Sequence, residues 1–435
     1  MTGSNLLITG KRRVAYHSFS FSRAVRTVAV LATAMVLCTV AFAPAFAERP
    51  LSQLLEPGDS VLVQRMDDGR VVLAENPDTL LVPASILKIV TSLAAFEILG
   101  KDFRFITEFY TTPGGDLIIK GYGDPSLVSE EIEAAAFRIA AMVPSVGDIL
   151  VDASFFAPGI AVPGRKIGSS QPYDAVNGAL CANYNTVNVT RKDGRYVSAE
   201  PQTPLLDFAR RRIARMDPFS GRVAFIEDAS AAALYAGELF AWFLEKHGCH
   251  VSGKVACGRV EKGRDTLEFT HVSSSALGDN VEKLLRYSNN FTANQLLLAC
   301  GAKAYGPPAD LARGVAAVQD YVKTVLAIDG MKVVEGSGLS RENRMSARMM
   351  AGVLAAFEPY AGRMRVFGNE YYKTGTLSGV NTRAGYFLYE DGPRYLFVVM
   401  SNTPGRSADV LMPEIRKRVE SDRRQTPAGP GELTD

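Results

Sequence analysis

The pattern of hydrophobic and polar positions predicts β-strands near both ends of the 435-residue chain. The apolar segments VLVQRM and VVLAEN flank Asp-Asp-Gly at 67–69, an arrangement that predicts a β-hairpin. Near the C-terminus, RAGYFLYE and RYLFVVMSN are joined by Asp-Gly at 391–392, and a further strand is predicted around Lys373. These segments together predict a five-stranded antiparallel sheet that is assembled from both ends of the chain.

A nearly continuous apolar segment, VPASILKIVTSLAAFEILG, lies between these two groups of strands. Pro83 near its start and Gly100 at its end are residues that typically bound a helix. Because apolar side chains occur on almost every face, the segment is predicted to form a buried central helix.

The middle of the chain alternates strand-like runs with turns. The runs are DLIIKG, DILVDA, TVNVT and RVAFIE, and a helix is predicted over Ala229–Lys246. We therefore expect a domain of sheet and helices at 48–104 and 272–422, interrupted by a mixed α/β insertion at 105–271. Residues 423–435 are predicted to form a disordered tail.

The 48 basic and 46 acidic side chains nearly balance, so the overall charge does not indicate a nucleic-acid partner. Residues 1–47, however, contain five basic side chains and no acidic one, and an apolar run at 27–43 precedes Ala-Phe-Ala at 45–47. This arrangement predicts a secretory signal peptide and a periplasmic or otherwise extracytoplasmic protein, with no stable membrane span after cleavage. The alternative is a retained membrane anchor, although the run is near the lower length limit for a span.

Four cysteines follow the predicted cleavage site: Cys181, Cys249, Cys257 and Cys300. In an exported protein, pairing is the default expectation. Cys249 and Cys257 flank a short stretch with Ser-Gly at its centre, so we predict a hairpin with a disulfide between them. The alternative is a zinc site formed by these two cysteines with His247 and His250, which an oxidising compartment disfavours.

Ser85 and Lys88 are three residues apart in the predicted central helix, so their side chains can meet on one face. A serine hydroxyl is a weak nucleophile until a neighbouring base takes its proton. A lysine can act as that base when burial or a second cation lowers its pKa. Taken alone, this pair favours a simpler interpretation, a serine cap beside a solvated lysine.

Two further segments strengthen the catalytic interpretation. Ser288-Asn289-Asn290 lies between two helical patterns, which places it at a helix break. Lys373-Thr374-Gly375-Thr376 precedes the two C-terminal strands and supplies a cation, hydroxyls and a glycine that permits close approach of another backbone. The order S-x-x-K, S-x-N, K-T-G is the signature of penicillin-binding proteins and serine β-lactamases.

Beyond these motifs, most of the chain after the signal segment resembles the class C low-molecular-mass penicillin-binding proteins, the D-alanyl-D-alanine carboxypeptidase/endopeptidase family. The resemblance is carried by VPASILKIVTSLAAFEILG, DLIIKGYGDPSL, GDILVDASFF, YSNNFTANQLLLACG, EGSGLSRENRMS and YYKTGTLSGVNTRAGYF, and by a long insertion between the first two motifs. It implies a β-lactamase/transpeptidase-like α/β (α+β) fold. It also implies an exported serine carboxypeptidase that acts on peptidoglycan muropeptides, needs no cofactor or metal, and is inhibited by β-lactam antibiotics.

The resemblance further implies a role for each motif residue. Ser85 attacks the carbonyl carbon of the penultimate D-alanine, Lys88 accepts the serine proton, and Ser288 passes a proton to the leaving amine. Asn290 binds the substrate amide. The backbone N–H groups of Ser85 and Thr376 form the oxyanion hole. The substrate's terminal carboxylate is held by the K-T-G strand through Lys373, Thr374, Gly375 and Thr376.

Two positions depart from the family pattern. Glu335 stands where Asp is usual before Gly-Ser-Gly-Leu, and Asn294 stands where an acidic residue is common. Two alternative functions stay open at this point: a serine β-lactamase, which would need rapid deacylation, and a catalytically inactive envelope protein that binds wall peptides.

Overall fold

The computed structural model describes residues 55–216 and 219–425. The predicted signal peptide lies outside the described residues, and so does the predicted tail from residue 426 onward. The predicted tail includes residues 423–425, but these residues form the last turn of a helix that ends at Gln425, so this part of the prediction is wrong. None of the helices within the described ranges is long and apolar enough to cross a membrane.

The strands of the described chain are numbered in chain order. They are β1 (Asp59–Arg65), β2 (Val71–Glu75), β3 (Arg104–Thr111), β4 (Leu117–Gly121), β5 (Ser145–Val146), β6 (Ile149–Asp152), β7 (Thr186–Lys192), β8 (Arg195–Ser198), β9 (Gly221–Ala224), β10 (His250–Val251), β11 (Val255–Cys257), β12 (Thr266–Ala276), β13 (Arg365–Phe367), β14 (Glu370–Leu377), β15 (Val380–Phe387) and β16 (Tyr395–Ser401).

The α-helices are numbered in the same way. They are α1 (Leu87–Leu99), α2 (Ser129–Met142), α3 (Asp207–Ile213), α4 (Ala229–Lys246), α5 (Leu277–Tyr287), α6 (Asn290–Tyr305), α7 (Leu311–Thr324), α8 (Ala347–Phe357) and α9 (Met412–Gln425).

The first sheet joins both ends of the described chain in the strand order β13-β14-β15-β16-β1-β2, and all neighbouring strands are antiparallel. Both predicted hairpins are confirmed as β1–β2 and β15–β16. The sheet has six strands rather than the predicted five because the short strand β13 extends the edge beyond β14. All three β13 residues are exposed, so no pattern of burial marks this strand in the sequence.

Helix α1 is the central helix that the sequence predicts. Its first ten residues are buried, and it packs against α5, α6, α7 and α8. Gly100 ends the helix with φ of 95°, a conformation that glycine adopts without strain. Pro83 begins a 3₁₀ turn over Ala84–Ile86 that leads into the helix, so Ser85 precedes α1 rather than lying within it.

The inserted segment has its own mixed sheet, in the strand order β11-β6-β4-β3-β12. Helix α4, found over the predicted residues, packs on this sheet together with α2. A separate three-stranded sheet, β8-β7-β9, completes the insertion. The boundaries at 104/105 and 271/272 stay predictions, and strand β12 crosses the second of them.

Gln295 on α6 makes a polar contact with the insertion. Its side chain is fully buried and donates to the carbonyl oxygens of Gly123 (3.1 Å) and Gly178 (3.0 Å). Its Oε1 accepts from Asn177 Nδ2 at 3.0 Å. The helix that begins at Asn290 is therefore fixed to the insertion by a satisfied, buried amide.

The predicted Cys249–Cys257 disulfide is wrong in this structure, since both thiols are free. The chain around them does not form a hairpin with itself. Strand β10 pairs with β5, and β11 pairs with β6, so Cys249 is buried while Cys257 is exposed. The zinc alternative has no support either: His247 Nε2 lies 3.2 Å from Glu133 Oε1, and the described residues contain no cluster of side chains that could hold a metal.

Candidate active site

Ser85 and Lys88 meet as the sequence predicts. The Lys88 Nζ atom donates to Ser85 Oγ at 2.9 Å, across the junction of the 3₁₀ turn and α1. The same ammonium donates to Asn290 Oδ1 (2.7 Å) and to the backbone carbonyl of Ser337 (2.6 Å). The alternative of a solvated lysine is therefore wrong, because the three hydrogen-bond positions of this side chain all face protein atoms.

Lys88 has no exposed surface. Burial lowers the pKa of its ammonium to about 7, against the opposing attraction of Glu335. Burial dominates because a charged group loses its hydration in the apolar interior formed around α1. At neutral pH a large fraction of Lys88 is consequently unprotonated and able to accept a proton from Ser85.

The S-x-N motif lies at a break between two helices, also as predicted. Helix α5 ends at Tyr287, Ser288 adopts the left-handed conformation with φ of 57°, and α6 begins at Asn290. The Asn289 side chain caps α6 by accepting from the backbone N–H of Thr292 at 3.0 Å. This break turns both Ser288 and Asn290 toward the lysines of the site.

Lys373 on β14 contacts the other serine. Its Nζ donates to Ser288 Oγ at 2.9 Å, and its side chain is almost completely buried. Burial, with smaller contributions from the positive charges of Lys88 and Arg365, lowers the pKa of Lys373 to about 6. Each serine therefore has its own buried lysine, and the two lysines are close enough to repel each other.

The strand β14 passes directly beside the nucleophile. A β-carbon at Gly375 would lie 2.6 Å from the backbone nitrogen of Ser85 and 2.4 Å from Thr382 Oγ1, so only glycine fits. Thr376 follows immediately and is exposed. The two backbone N–H groups that are predicted to form the oxyanion hole thus lie on adjoining segments.

A cleft of about 890 Å³ opens beside the S-x-N motif. Insertion residues such as Tyr173, Tyr184 and Arg222 line one side, and residues of α5 and the motif itself line the other. The carbonyl oxygen of Tyr173 accepts from Asn290 Nδ2 at 3.1 Å. Ser288 and Asn290 are among the lining residues, so the cleft borders the cluster formed by the two serines and the two lysines.

Two contacts of the site could not be found from the sequence, because both use backbone carbonyls. These are the carbonyl of Ser337 on Lys88 and that of Tyr173 on Asn290. The Glu-Gly-Ser-Gly-Leu segment contributes to the family resemblance, but the sequence does not indicate that it contacts Lys88. The turn formed by this segment lies against Lys88, and Glu335 is fully buried within it.

Comparison with known proteins agrees with this geometry. The D-Ala-D-Ala carboxypeptidase 3 (S13) family matches residues 53–215 and 221–361. The chain belongs to this family. The match includes the S-x-x-K and S-x-N motifs but ends before Lys373. The assignment of the K-T-G motif to the site is therefore based on the position of β14 beside Ser85 and Ser288.

Individual relatives are distant but cover most of the chain. The D-alanyl-D-alanine carboxypeptidase of Actinomadura sp. (strain R39) is 26% identical, over 85% of this chain and 82% of the relative. The crystal structure of penicillin binding protein 4 from Haemophilus influenzae superposes with a TM-score of 0.66 at 22% identity, covering 82% of this chain and 93% of that one. A penicillin G-acylated predatory endopeptidase from Bdellovibrio bacteriovorus gives a TM-score of 0.52 at 16% identity, over 85% and 93% of the two chains. These structures share the transpeptidase-like fold.

Proposed function

We propose that the chain is an exported serine D-Ala-D-Ala carboxypeptidase that cleaves peptidoglycan stem peptides through an acyl-enzyme. The observation that carries the proposal is the pairing of two serines with two buried lysines: Ser85 with Lys88 and Ser288 with Lys373, each at 2.9 Å. Family membership supports the same reaction, and the predicted signal peptide supports its location outside the cytoplasm.

In the first half of the reaction, Ser85 Oγ attacks the carbonyl carbon of the penultimate D-alanine while neutral Lys88 takes its proton. The backbone N–H groups of Ser85 and Thr376 stabilise the oxyanion, an interaction worth about 3 kcal/mol per donor. The proton that Lys88 took passes through the hydroxyl of Ser288, which is hydrogen-bonded to Lys373, to the leaving amine, so Lys88 is neutral again and Ser288 is unchanged. Lys88 then takes a proton from the water that attacks the ester and returns it to Ser85 Oγ as the product leaves.

Substrate binding uses the same cluster. Asn290 donates to the substrate amide through its Nδ2, while its Oδ1 stays bonded to Lys88. The terminal carboxylate is held by Lys373, Thr374 and Thr376. A β-lactam has a carbonyl and a carboxylate similar to those of the D-Ala-D-Ala substrate, so it acylates Ser85. The resulting ester is hydrolysed slowly.

The test uses a labelled penicillin and the Ser85→Ala variant. Wild type should become covalently labelled and the variant should not. The matched control is Ser92→Ala on helix α1, which follows the 3₁₀ turn of Ser85; the buried Ser92 hydroxyl has no partner within the described chain and should be dispensable. Equal labelling of wild type and Ser85→Ala would overturn the proposal, whereas prompt turnover of the β-lactam without a stable adduct would identify a β-lactamase.

Product analysis separates the remaining possibilities. Wild type incubated with uncross-linked and cross-linked muropeptides should release D-alanine from the first, and mass spectrometry would show whether it also opens the cross-link of the second. Retained binding without any product would instead identify an inactive peptide-binding protein.

A further inference from the structure

A buried carboxylate, Glu335, holds the turn whose Ser337 carbonyl contacts Lys88. Glu335 Oε2 accepts from the backbone N–H of Ser337 (2.7 Å) and from its hydroxyl (2.6 Å). Its Oε1 accepts from Asn343 Nδ2 at 2.9 Å and from the N–H of Ser340 at 3.3 Å. One side chain thereby fixes both arms of the turn between residues 335 and 343.

The same turn is also attached to helices α6 and α1 of the site. Asn294 on α6 accepts from the N–H of Gly336 (2.7 Å) and donates to Glu335 Oε2 (3.3 Å). Thr91 on α1 donates from its hydroxyl to the carbonyl of Gly336 at 2.7 Å. All of these groups are buried, so little water competes for their hydrogen bonds.

The result of this arrangement is a carbonyl group in a fixed place. The Ser337 oxygen accepts from Lys88 Nζ at 2.6 Å. The next residue, Gly338, has φ of 81°, and a β-carbon there would lie 1.9 Å from the carbonyl oxygen of Ala84. Because the turn is packed this tightly against the 3₁₀ turn of Ser85, it cannot shift without moving the nucleophile.

The charged groups that face Lys88 differ in sign. Glu335 on the turn attracts the ammonium, and Lys373 on β14 repels it. Helix α6 presents only the neutral amides of Asn290 and Asn294. An acidic residue at 294, as is common in the family, would place a second carboxylate beside Glu335.

We propose that Glu335, which lies in a turn held by Asn294 and Thr91, is a positioning residue for Lys88: it fixes the Ser337 carbonyl that orients the ammonium and supplies the negative charge that balances it. This inference rests on the proposed role of Lys88 as the base that activates Ser85. It concerns a residue that does not touch the substrate. Its effect must therefore reach the reaction through Lys88.

The test measures the rate of acylation by a labelled penicillin as a function of pH. In Glu335→Gln the ammonium loses its attracting charge, so the acid limb of the profile should move to lower pH by at least about half a unit. Glu342→Gln is the matched control, since this exposed carboxylate in the same turn pairs, among the residues that the structure describes, only with Lys332, at 3.4 Å. Its profile should coincide with that of wild type.

A second variant, Thr91→Val, separates the orientation of the Lys88 ammonium from the effect of the Glu335 charge. It also provides the test if Glu335→Gln does not fold. It removes the hydroxyl bond to Gly336 and keeps Glu335, so the plateau rate should fall several-fold while the acid limb stays in place. The inference is overturned if the acid limb of the Glu335→Gln profile coincides with that of wild type. If Glu335→Gln is unfolded, the inference is overturned when the plateau rate of Thr91→Val equals that of wild type. If wild type itself is never labelled, the proposed function is wrong and the inference falls with it.

Discussion

Gly375 and Ser85 lie so close together that a β-carbon on the glycine would be 2.6 Å from the backbone nitrogen of the serine. The strand β14 is therefore in contact with the nucleophile's own backbone. This contact explains the glycine of the K-T-G motif, because any side chain would separate the strand that is proposed to bind the carboxylate from the serine that is proposed as the nucleophile.

Gly375→Ala should accordingly damage catalysis rather than stability alone. Displacing β14 moves the Thr376 N–H away from the oxyanion, and the loss of one such donor lowers the rate by about 100-fold or more. The measurement is the acylation rate by penicillin. Gly362→Ala is the control, since a β-carbon there meets no atom within 4 Å, and its rate should equal that of wild type.

The pH dependence of acylation should report the protonation of Lys88. Its pKa is lowered to about 7 by burial. The neutral amine is the active form, so the rate should reach a plateau above pH 7 and fall about tenfold for each unit below it. Stopped-flow measurement with a fluorescent β-lactam checks this. A rate that is constant from pH 8 to pH 5 would contradict the assignment of Lys88 as the base.

Binding of a substrate carboxylate should be coupled to proton uptake at Lys373. Burial and the neighbouring Lys88 lower the pKa of Lys373 to about 6, so the free enzyme holds this amine mostly neutral at pH 7.5. An anion beside it favours the ammonium form, and the proton must then come from solvent. Affinity should therefore weaken as pH rises above 6.

Calorimetry of the inactive Ser85→Ala variant measures this coupling. Titrations of a D-Ala-D-Ala peptide in two buffers of different ionisation enthalpy should give different apparent enthalpies, from which the proton uptake follows. The same peptide with a C-terminal amide is the control and should show no such difference. Equal enthalpies for the acid in both buffers would show that Lys373 does not take up a proton.

A thiol-reactive probe should label Cys257 in the native protein without prior reduction. This thiol is exposed, whereas Cys181, Cys249 and Cys300 are buried. Burial also raises the pKa of the Cys181 and Cys300 thiols to about 12, which suppresses their reactive thiolate form. Peptide mapping should place the label on Cys257, and Cys257→Ser should lose it. If Cys257 is labelled only after treatment with a reductant, the predicted Cys249–Cys257 disulfide would be present in the protein after all.

The sequence was a good guide where the contact is local. Ser85 and Lys88 meet because a spacing of three residues brings their side chains to one face of a helical turn. Strand β15 pairs with β16 because a short loop, residues 388–394, joins two apolar runs. Their geometry depends little on the rest of the fold, so it could be predicted.

The features that could not be predicted depend on partners far along the chain. Cys249 and Cys257 are separated by a short stretch, yet β10 and β11 pair with β5 and β6 rather than with each other. Ser337 is 249 residues from Lys88 in the sequence, and its contact uses a backbone carbonyl, which no residue type in the sequence indicates. Such contacts are selected by tertiary packing, which a single sequence does not show.

The attachment of the insertion to the site gives a last prediction. Gln295 is fully buried, and its amide satisfies the carbonyls of Gly123 and Gly178 and the side chain of Asn177. Gln295→Leu removes a donor from the buried carbonyls of Gly123 and Gly178 and an acceptor from Asn177, although Asn177 keeps its bond to the carbonyl of Phe291 and Gly178 keeps its contact with Cys181 Sγ. The free energy of unfolding should therefore fall by about 2 kcal/mol in urea titrations. Lys303→Leu, on an exposed position of the same helix, should change it by less than about 0.5 kcal/mol. Equal stability of the two variants would mean that the insertion is held to α6 mainly by its apolar contacts.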